Sequence, residues 1–202
     1  MTPWRGTLAN APALRSPPQH ALAVGRTCWQ GEPVVALAAE TRAIAEDAAE
    51  LVRIDWHELP VVHELEDALS PAAPVLHAEL GDNLLYRREV ATGDVEAAFA
   101  AADVVVERRL RFARHTGVTP EGRAMIASFD PSQSHLTLHY SGQAPHMIQV
   151  LFARHLGLEE RMVRVIARDV GGSYGIKSHV YGDEVAAAQL SMIYRIMLAS
   201  TS

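Results

Sequence analysis

Apolar and polar positions along this chain follow two periods, and their order predicts a mixed α/β protein. Residues 33–39 form a short apolar run suited to a buried strand. Thr41 then offers a hydroxyl cap, and Ile44, Ala45, Ala48, Ala49 and Val52 recur at helical spacing. Val52, Ile54 and Trp56 alternate with polar residues, as in a strand with one buried face, before Pro60 interrupts. This is a strand–helix–strand unit of about 30 residues. Residues 69–75 read as a linker.

Gly93-Asp94 opens a short helix that runs to Ala102, with Asp94 placed to cap it, and residues 104–112 are strand-like. Residues 124–129 and 135–140 are two further strands, joined by a turn at Asp130-Pro131-Ser132. In the second of these, Leu136, Leu138 and Tyr140 share a face. Pro145 suits the first turn of a helix whose Ile148, Leu151, Phe152 and His155 line one side, and Gly157 ends it. A strand through Val163, Val165 and Ala167 follows, then a glycine loop, then a helix from near Asp183. Residues 1–20 read as a loose lead-in. Turn signals shift around residues 80–95, which predicts a boundary between a domain over 21–90 and another over 91–202.

Two loops thus leave strand ends in close succession: Ser141-Gly142-Gln143, and Asp169-Val170-Gly171-Gly172-Ser173-Tyr174-Gly175-Ile176-Lys177. Ligands of α/β folds bind outside the carboxyl ends of strands, where backbone N–H groups attract anions. If the two strands are parallel neighbours, both loops open on one side and Gln143 faces the glycine loop. A neutral amide there can donate to an oxo ligand or a carbonyl without bringing charge.

The glycine loop is not a Walker motif, because Ile176 stands where Gly must precede Lys177. It lacks the opening of a dinucleotide fingerprint. It does match G-x-S-x-G, the elbow of a serine hydrolase with Ser173 as nucleophile, but the next helix starts too late and no His follows the acid. The ten histidines form no HExxH: His57-Glu58 and His63 are wrongly spaced around Pro60. His135 and His139 read as solvated strand residues, and His146 and His155 as part of their helix. Asp183 and Glu184 suit a helix N-terminus. Arg108, Arg109 and Arg111 read as a solvated strand or a subunit contact.

Composition narrows the class further. Hydrophobic residues make up 49% and charged residues 21%, as in a globular protein, and the net charge of −6 argues against a nucleic-acid partner. A single cysteine, Cys28, allows no intramolecular disulfide and no all-cysteine metal site. No apolar run suits a membrane span or a secretory signal, so the expected location is cytoplasmic.

Taken in order, Ser141-Gly142-Gln143-Ala144-Pro145-His146, Leu156-Gly157-Leu158, Val163-Arg164-Val165-Ile166 and the glycine loop resemble the molybdenum hydroxylases. That family includes xanthine dehydrogenase, aldehyde oxidase and the large subunit of aerobic carbon monoxide dehydrogenase. Gly31-Glu32-Pro33-Val34-Val35, Ile54-Asp55-Trp56 and Leu59-Pro60 resemble its α/β hammerhead domain. The resemblance implies a mixed α/β fold: a partial hammerhead domain, then the first part of a molybdopterin-binding domain.

It also implies roles. Gln143 is similar to the glutamine that hydrogen-bonds an oxo ligand of molybdenum, and Tyr174 stands beside the metal where the family has Phe. Neither is a direct metal ligand. The backbone from Gly172 through Ser173 and Tyr174 to Gly175 would line the molybdopterin, in its simple or its cytosine dinucleotide form. Ser178 occupies the place of a substrate-binding Glu in purine-oxidising members. The implied activity is hydroxylation of aldehydes, N-heterocycles or CO-like substrates with water-derived oxygen. Electrons pass to iron–sulfur and FAD partners, in a dimer of heterotrimers.

The chain departs from the family in three ways. Ser173 replaces the third Gly, and Pro120-Glu121-Gly122-Arg123 is one residue shorter than the family's P-x-E-x-R. No catalytic residue is expected here, because the family's Glu base lies beyond the position of Ser202. The reading is of a chain truncated at both ends, inactive alone or a catalytically inactive remnant or interaction module.

Overall fold

The computed structural model describes residues 3, 5, 6 and 11–201. Its centre is a four-stranded sheet in the order β3-β2-β1-β4, with β1 at Ala124–Asp130, β2 at His135–Tyr140, β3 at Val163–Ile166 and β4 at Met197–Thr201. β1 pairs antiparallel with both β2 and β4, whereas β2 and β3 run parallel. A parallel pair needs a long crossover, and helix α4 (Pro145–Leu156 in the label order α1 Arg42–Glu50, α2 Leu65–Ala68, α3 Val95–Ala100) supplies it. Helix α5 (Gly182–Tyr194) then leads into β4.

Register puts the apolar alternation on one face of the sheet. Met125 lies opposite Tyr140, Ala127 opposite Leu138, and Leu136 opposite Val163. All six are buried, and they join Ile148 and Phe152 of α4 with Val185 and Ala188 of α5 in one core. Both helices therefore cover the same face of the sheet. On its other face Ile126 and His139 are exposed. Pro145 stands in the first turn of α4, and Gly157 closes it at φ 69°. At the far end of α5, Arg195 takes φ 58°, and the Ser191 hydroxyl reaches the carbonyls of Ala127 and Ile196, tying helix to sheet.

The caps expected at Thr41 and Asp94 are present: each side chain accepts the backbone N–H three residues on. The three strands expected at residues 33–39, 52–56 and 104–112 are not formed. Each is apolar in pattern, but none has a ladder partner among the described residues. In the last, Val104, Val106, Leu110 and Phe112 are exposed. Arg109 and Arg111 of that segment pair with Glu66 and Glu64 instead. Conversely β4 is a strand the pattern did not predict. Of the lead-in, residues 1, 2, 4 and 7–10 lie outside the described residues, while Ala11 is buried and Arg15 pairs with Asp82 at 2.8 Å.

Phe152 is fully buried between α4 and the sheet, edge-on to Tyr140 at 6.2 Å between ring centroids. Phe152→Ala should lower the unfolding free energy by about 3–5 kcal/mol in a denaturant titration. A loss under about 1 kcal/mol would show that α4 is not held by this core.

Candidate functional site

Parallel pairing of β2 and β3 brings their two following loops together at one edge of the sheet. The Gln143 N–H donates to the Lys177 carbonyl at 3.2 Å, so the first loop is bonded to the end of the second. Gln143 itself is exposed. Gly172 and Gly175 take φ 90° and 86°, a region that side chains strongly disfavour, and Tyr174 between them is held at φ 48° and is 68% exposed. Strained aromatic residues of this kind cluster at ligand sites.

The loop's backbone donors divide sharply. Gly171 N–H donates to Glu121 Oε2 at 2.7 Å, Gly172 N–H to the Val170 carbonyl at 2.8 Å, and Ile176 N–H to the Ser173 carbonyl at 3.0 Å. The N–H groups of Ser173, Tyr174 and Gly175 have no acceptor among the described residues. Three successive open donors can receive an oxygen-rich or anionic group. Ser173 Oγ is shut off from solvent and has no hydrogen-bond partner among the described residues. That hydroxyl therefore does not stand on the solvent side of the loop, and the Gly-to-Ser departure does not obstruct it. A buried hydroxyl left without a partner costs about 1–3 kcal/mol. The residues present fit molybdopterin. Ser178 Oγ donates to the Gly175 carbonyl at 2.8 Å, at the loop's far end.

Behind the loop lies a pair that sequence reasoning did not assign to the site. Lys177 is 0% exposed, and its Nζ donates to Glu121 Oε1 at 2.8 Å. The same oxygen accepts the Ser141 hydroxyl at 2.6 Å. The Lys177 hydrogen bond, then those from Ser141 and Gly171, hold the Glu121 carboxyl down at about 2, against an ordinary 4.5. Its signal in the sequence was the Pro120-Glu121-Gly122-Arg123 segment together with the Lys that ends the glycine motif. Neither residue says alone that the two meet.

A second cluster fixes α5 under the site. Arg123 pairs with Glu184 at 2.7 Å and Asp183 at 3.1 Å, and its guanidinium lies 3.9 Å from the Tyr181 ring centre. Glu184 Oε2 accepts the Tyr181 N–H at 3.0 Å and lies 2.7 Å from the Tyr140 hydroxyl. Burial pushes the Glu184 carboxyl up, against these donors, and pushes the Tyr140 hydroxyl up as well. Asp183 and Glu184 thus occupy the helix N-terminus expected of them, with an added partner. A cleft of about 420 Å³ borders this cluster through Arg123, Tyr181 and Asp183, and His20, Trp29 and His77 line it too. It includes no glycine-loop residue.

The hydrolase geometry is not assembled. α5 starts nine positions after Ser173, and the Ser173 hydroxyl meets no base. His139 and His146 are exposed, while His155 is buried in α4 and held below its ordinary value by burial and then by Arg154. Among the described residues no three His, Cys, Asp or Glu side chains group to hold a metal ion, and no helix is long and apolar enough to cross a membrane.

Two loops at the end of a parallel strand pair, one rich in glycine with open amides, are of the class that can cradle a polar ligand by its backbone donors. Comparison with known proteins gives that class a family. The family model for the molybdopterin cofactor-binding domain matches residues 76–196. The nicotine 6-hydroxylase large subunit of Paenarthrobacter nicotinovorans is 36% identical over 157 residues, which is 78% of this chain and 19% of that protein. The carbon monoxide dehydrogenase large chain of Hydrogenophaga pseudoflava is 32% identical over 203 residues, 94% of this chain and 24% of that one. Quinoline 2-oxidoreductase from Pseudomonas putida 86 superposes with a TM-score of 0.89 at 27% identity, covering 100% of this chain and 27% of its own. Reconstituted CO dehydrogenase from Oligotropha carboxidovorans gives 0.83 at 31% identity, covering 95% and 26%. This chain belongs to the molybdopterin-binding large subunits of the molybdenum hydroxylase family. It spans 19% and 24% of the length of the two curated relatives.

Because the Glu121 carboxyl is depressed on folding, its stabilisation is complete above 4.5 and is lost as pH falls from there towards about 2. The thermal unfolding midpoint should drop across that window, and Glu121→Gln should flatten the drop. An unchanged slope in the variant would mean that other carboxylates carry the acid sensitivity.

Proposed function

We propose that this chain forms the cofactor-facing wall of an oxidoreductase that hydroxylates aldehydes, N-heterocycles or CO-like substrates with water-derived oxygen. The observation that carries this reading is the run of three open amides at Ser173, Tyr174 and Gly175, bonded through Lys177 to the Gln143 loop. The amides of this run would hold the pterin, with Gly172 shaping the turn that presents them. Gln143 would lie at the metal end, donating a neutral amide, with Tyr174 beside it. When bound, molybdopterin supplies the two-electron redox chemistry. The chain's own residues bind and orient it, and Ser178 borders the substrate side. Ser178 offers no carboxylate of the kind purine-oxidising members use, which favours a substrate other than a purine.

The relatives bear names of subunits: a large subunit, a large chain, and a 6-hydroxypseudooxynicotine dehydrogenase complex subunit gamma. They support a multi-subunit enzyme, which we place in the cytoplasm as a dimer of heterotrimers with iron–sulfur and FAD subunits. The pterin is molybdopterin itself or its cytosine dinucleotide form. Within the chain, residues 21–90 correspond to part of a hammerhead domain and residues 91–202 to the start of the molybdopterin-binding domain. The base that the reaction needs is assigned to a polypeptide segment other than these residues. A second reading of the same fold is an inactive remnant or interaction module, because none of these 202 residues is assigned as the catalytic base.

Purification of the chain from a host that makes molybdopterin, followed by metal analysis and pterin fluorescence after oxidation, tests the proposal. Near-stoichiometric pterin is expected, and Gln143→Ala should reduce its retention by roughly tenfold, the equivalent of one or two good hydrogen bonds. A metal-free, pterin-free chain would overturn the cradle. Turnover of an aldehyde or N-heterocycle by the loaded protein would overturn the remnant reading.

A further inference from the structure

Glu121 belongs neither to the glycine loop nor to the Gln143 loop, yet it is bonded to both. Its Oε1 accepts Ser141 Oγ–H at 2.6 Å and Lys177 Nζ–H at 2.8 Å, and its Oε2 accepts Gly171 N–H at 2.7 Å. Ser141 precedes Gln143 by two residues. Lys177 carries the carbonyl that accepts the Gln143 N–H. Gln143 is therefore held from two directions by groups that Glu121 itself holds. We propose that Glu121 is the positioning residue of this site, its carboxylate fixing the Gln143 loop and the glycine loop at one separation and orientation. The proposal rests on reading those loops as cofactor-facing.

Three features argue that the position requires a carboxylate. First, three donors from three chain segments converge on two oxygens, and only an ionised carboxylate accepts at both without offering a donor. An amide would turn an NH2 toward either Gly171 N–H or the Lys177 ammonium. Second, Lys177 is fully buried, so its ammonium needs an anion that has no second source within the contacts it makes. Third, a side chain at Gly171 would place its Cβ 2.8 Å from both Cβ and Oε2 of Glu121. The first glycine of the loop thus makes room for Glu121 itself, while its neighbours at positive φ shape the open amides. Glu121 does not touch those amides, so it acts through the loops and not on the cofactor.

Amide hydrogen exchange and pterin retention in the full 202-residue chain test the assignment. In Glu121→Ala, the Gly171 and Gln143 amides should exchange at least roughly tenfold faster, while the Leu138 amide of β2 keeps its protection; pterin retention should fall by a similar factor. The Gln143 amide is the decisive probe, because it bonds Lys177 and not Glu121. Should Glu121→Ala fail to fold, Glu121→Gln serves: it keeps the size and one acceptor, and should loosen Gln143 and weaken retention in the same direction. Unchanged exchange at Gln143 would overturn the proposal. So would an equal rise at Leu138, which would mark a general loss of stability. If the parent chain retains no pterin, the cofactor reading fails on its own, and the exchange pattern still decides whether Glu121 couples the loops.

Discussion

An ammonium removed from water needs an anion beside it, and this constraint organises the end of the sheet. Lys177 has no solvent exposure, whereas the Glu121 side chain that pairs with it remains 45% exposed. The pair is thus half in water. The lysine gives up more hydration than the glutamate, and the extra donors from Ser141 and Gly171 complete the carboxylate's shell. Around that shell the chain arranges a turn before β1, a loop after β2 and a loop after β3. None of these three segments pairs with another through a ladder. The Glu121 side chain, together with the Gln143–Lys177 backbone bond, supplies the cohesion that strands supply elsewhere in the molecule.

The parts of the fold that could be read from the sequence are those whose partner lies close along the chain. β1 and β2 form a hairpin, α4 crosses between β2 and β3, and each carries its buried face as an unbroken period. Residues 33–39, 52–56 and 104–112 carry the same kind of pattern without forming strands. Apolar alternation records that a segment tends to be covered; it does not say by what. β4 fails in the opposite sense. Met197-Leu198-Ala199-Ser200-Thr201 has no alternation, and it becomes a strand because the Arg195 turn returns it antiparallel to β1.

The site divides in the same manner. Gln143 and the glycine loop could be found because short motifs at strand ends carry their own chemistry, and the parallel pairing needed to bring them together is present. Lys177 was visible as the end of a motif, and Glu121 as part of a proline-containing segment, but 56 positions separate them. No local period encodes such a contact. The same holds for Arg123 with Glu184, where the acidic first turn of α5 was legible as a helix start and its cationic partner was not.

The uneven use of donors along the glycine loop has a thermodynamic meaning. Gly171 bonds the protein, Gly172 bonds its own turn, and the next three amides and the Ser173 hydroxyl bond nothing among the described residues. An incoming acceptor can take those three amides without breaking a bond within the chain. Occupation and completion of the fold then become one equilibrium, and each increment of ligand activity adds to the stability of the loop by mass action.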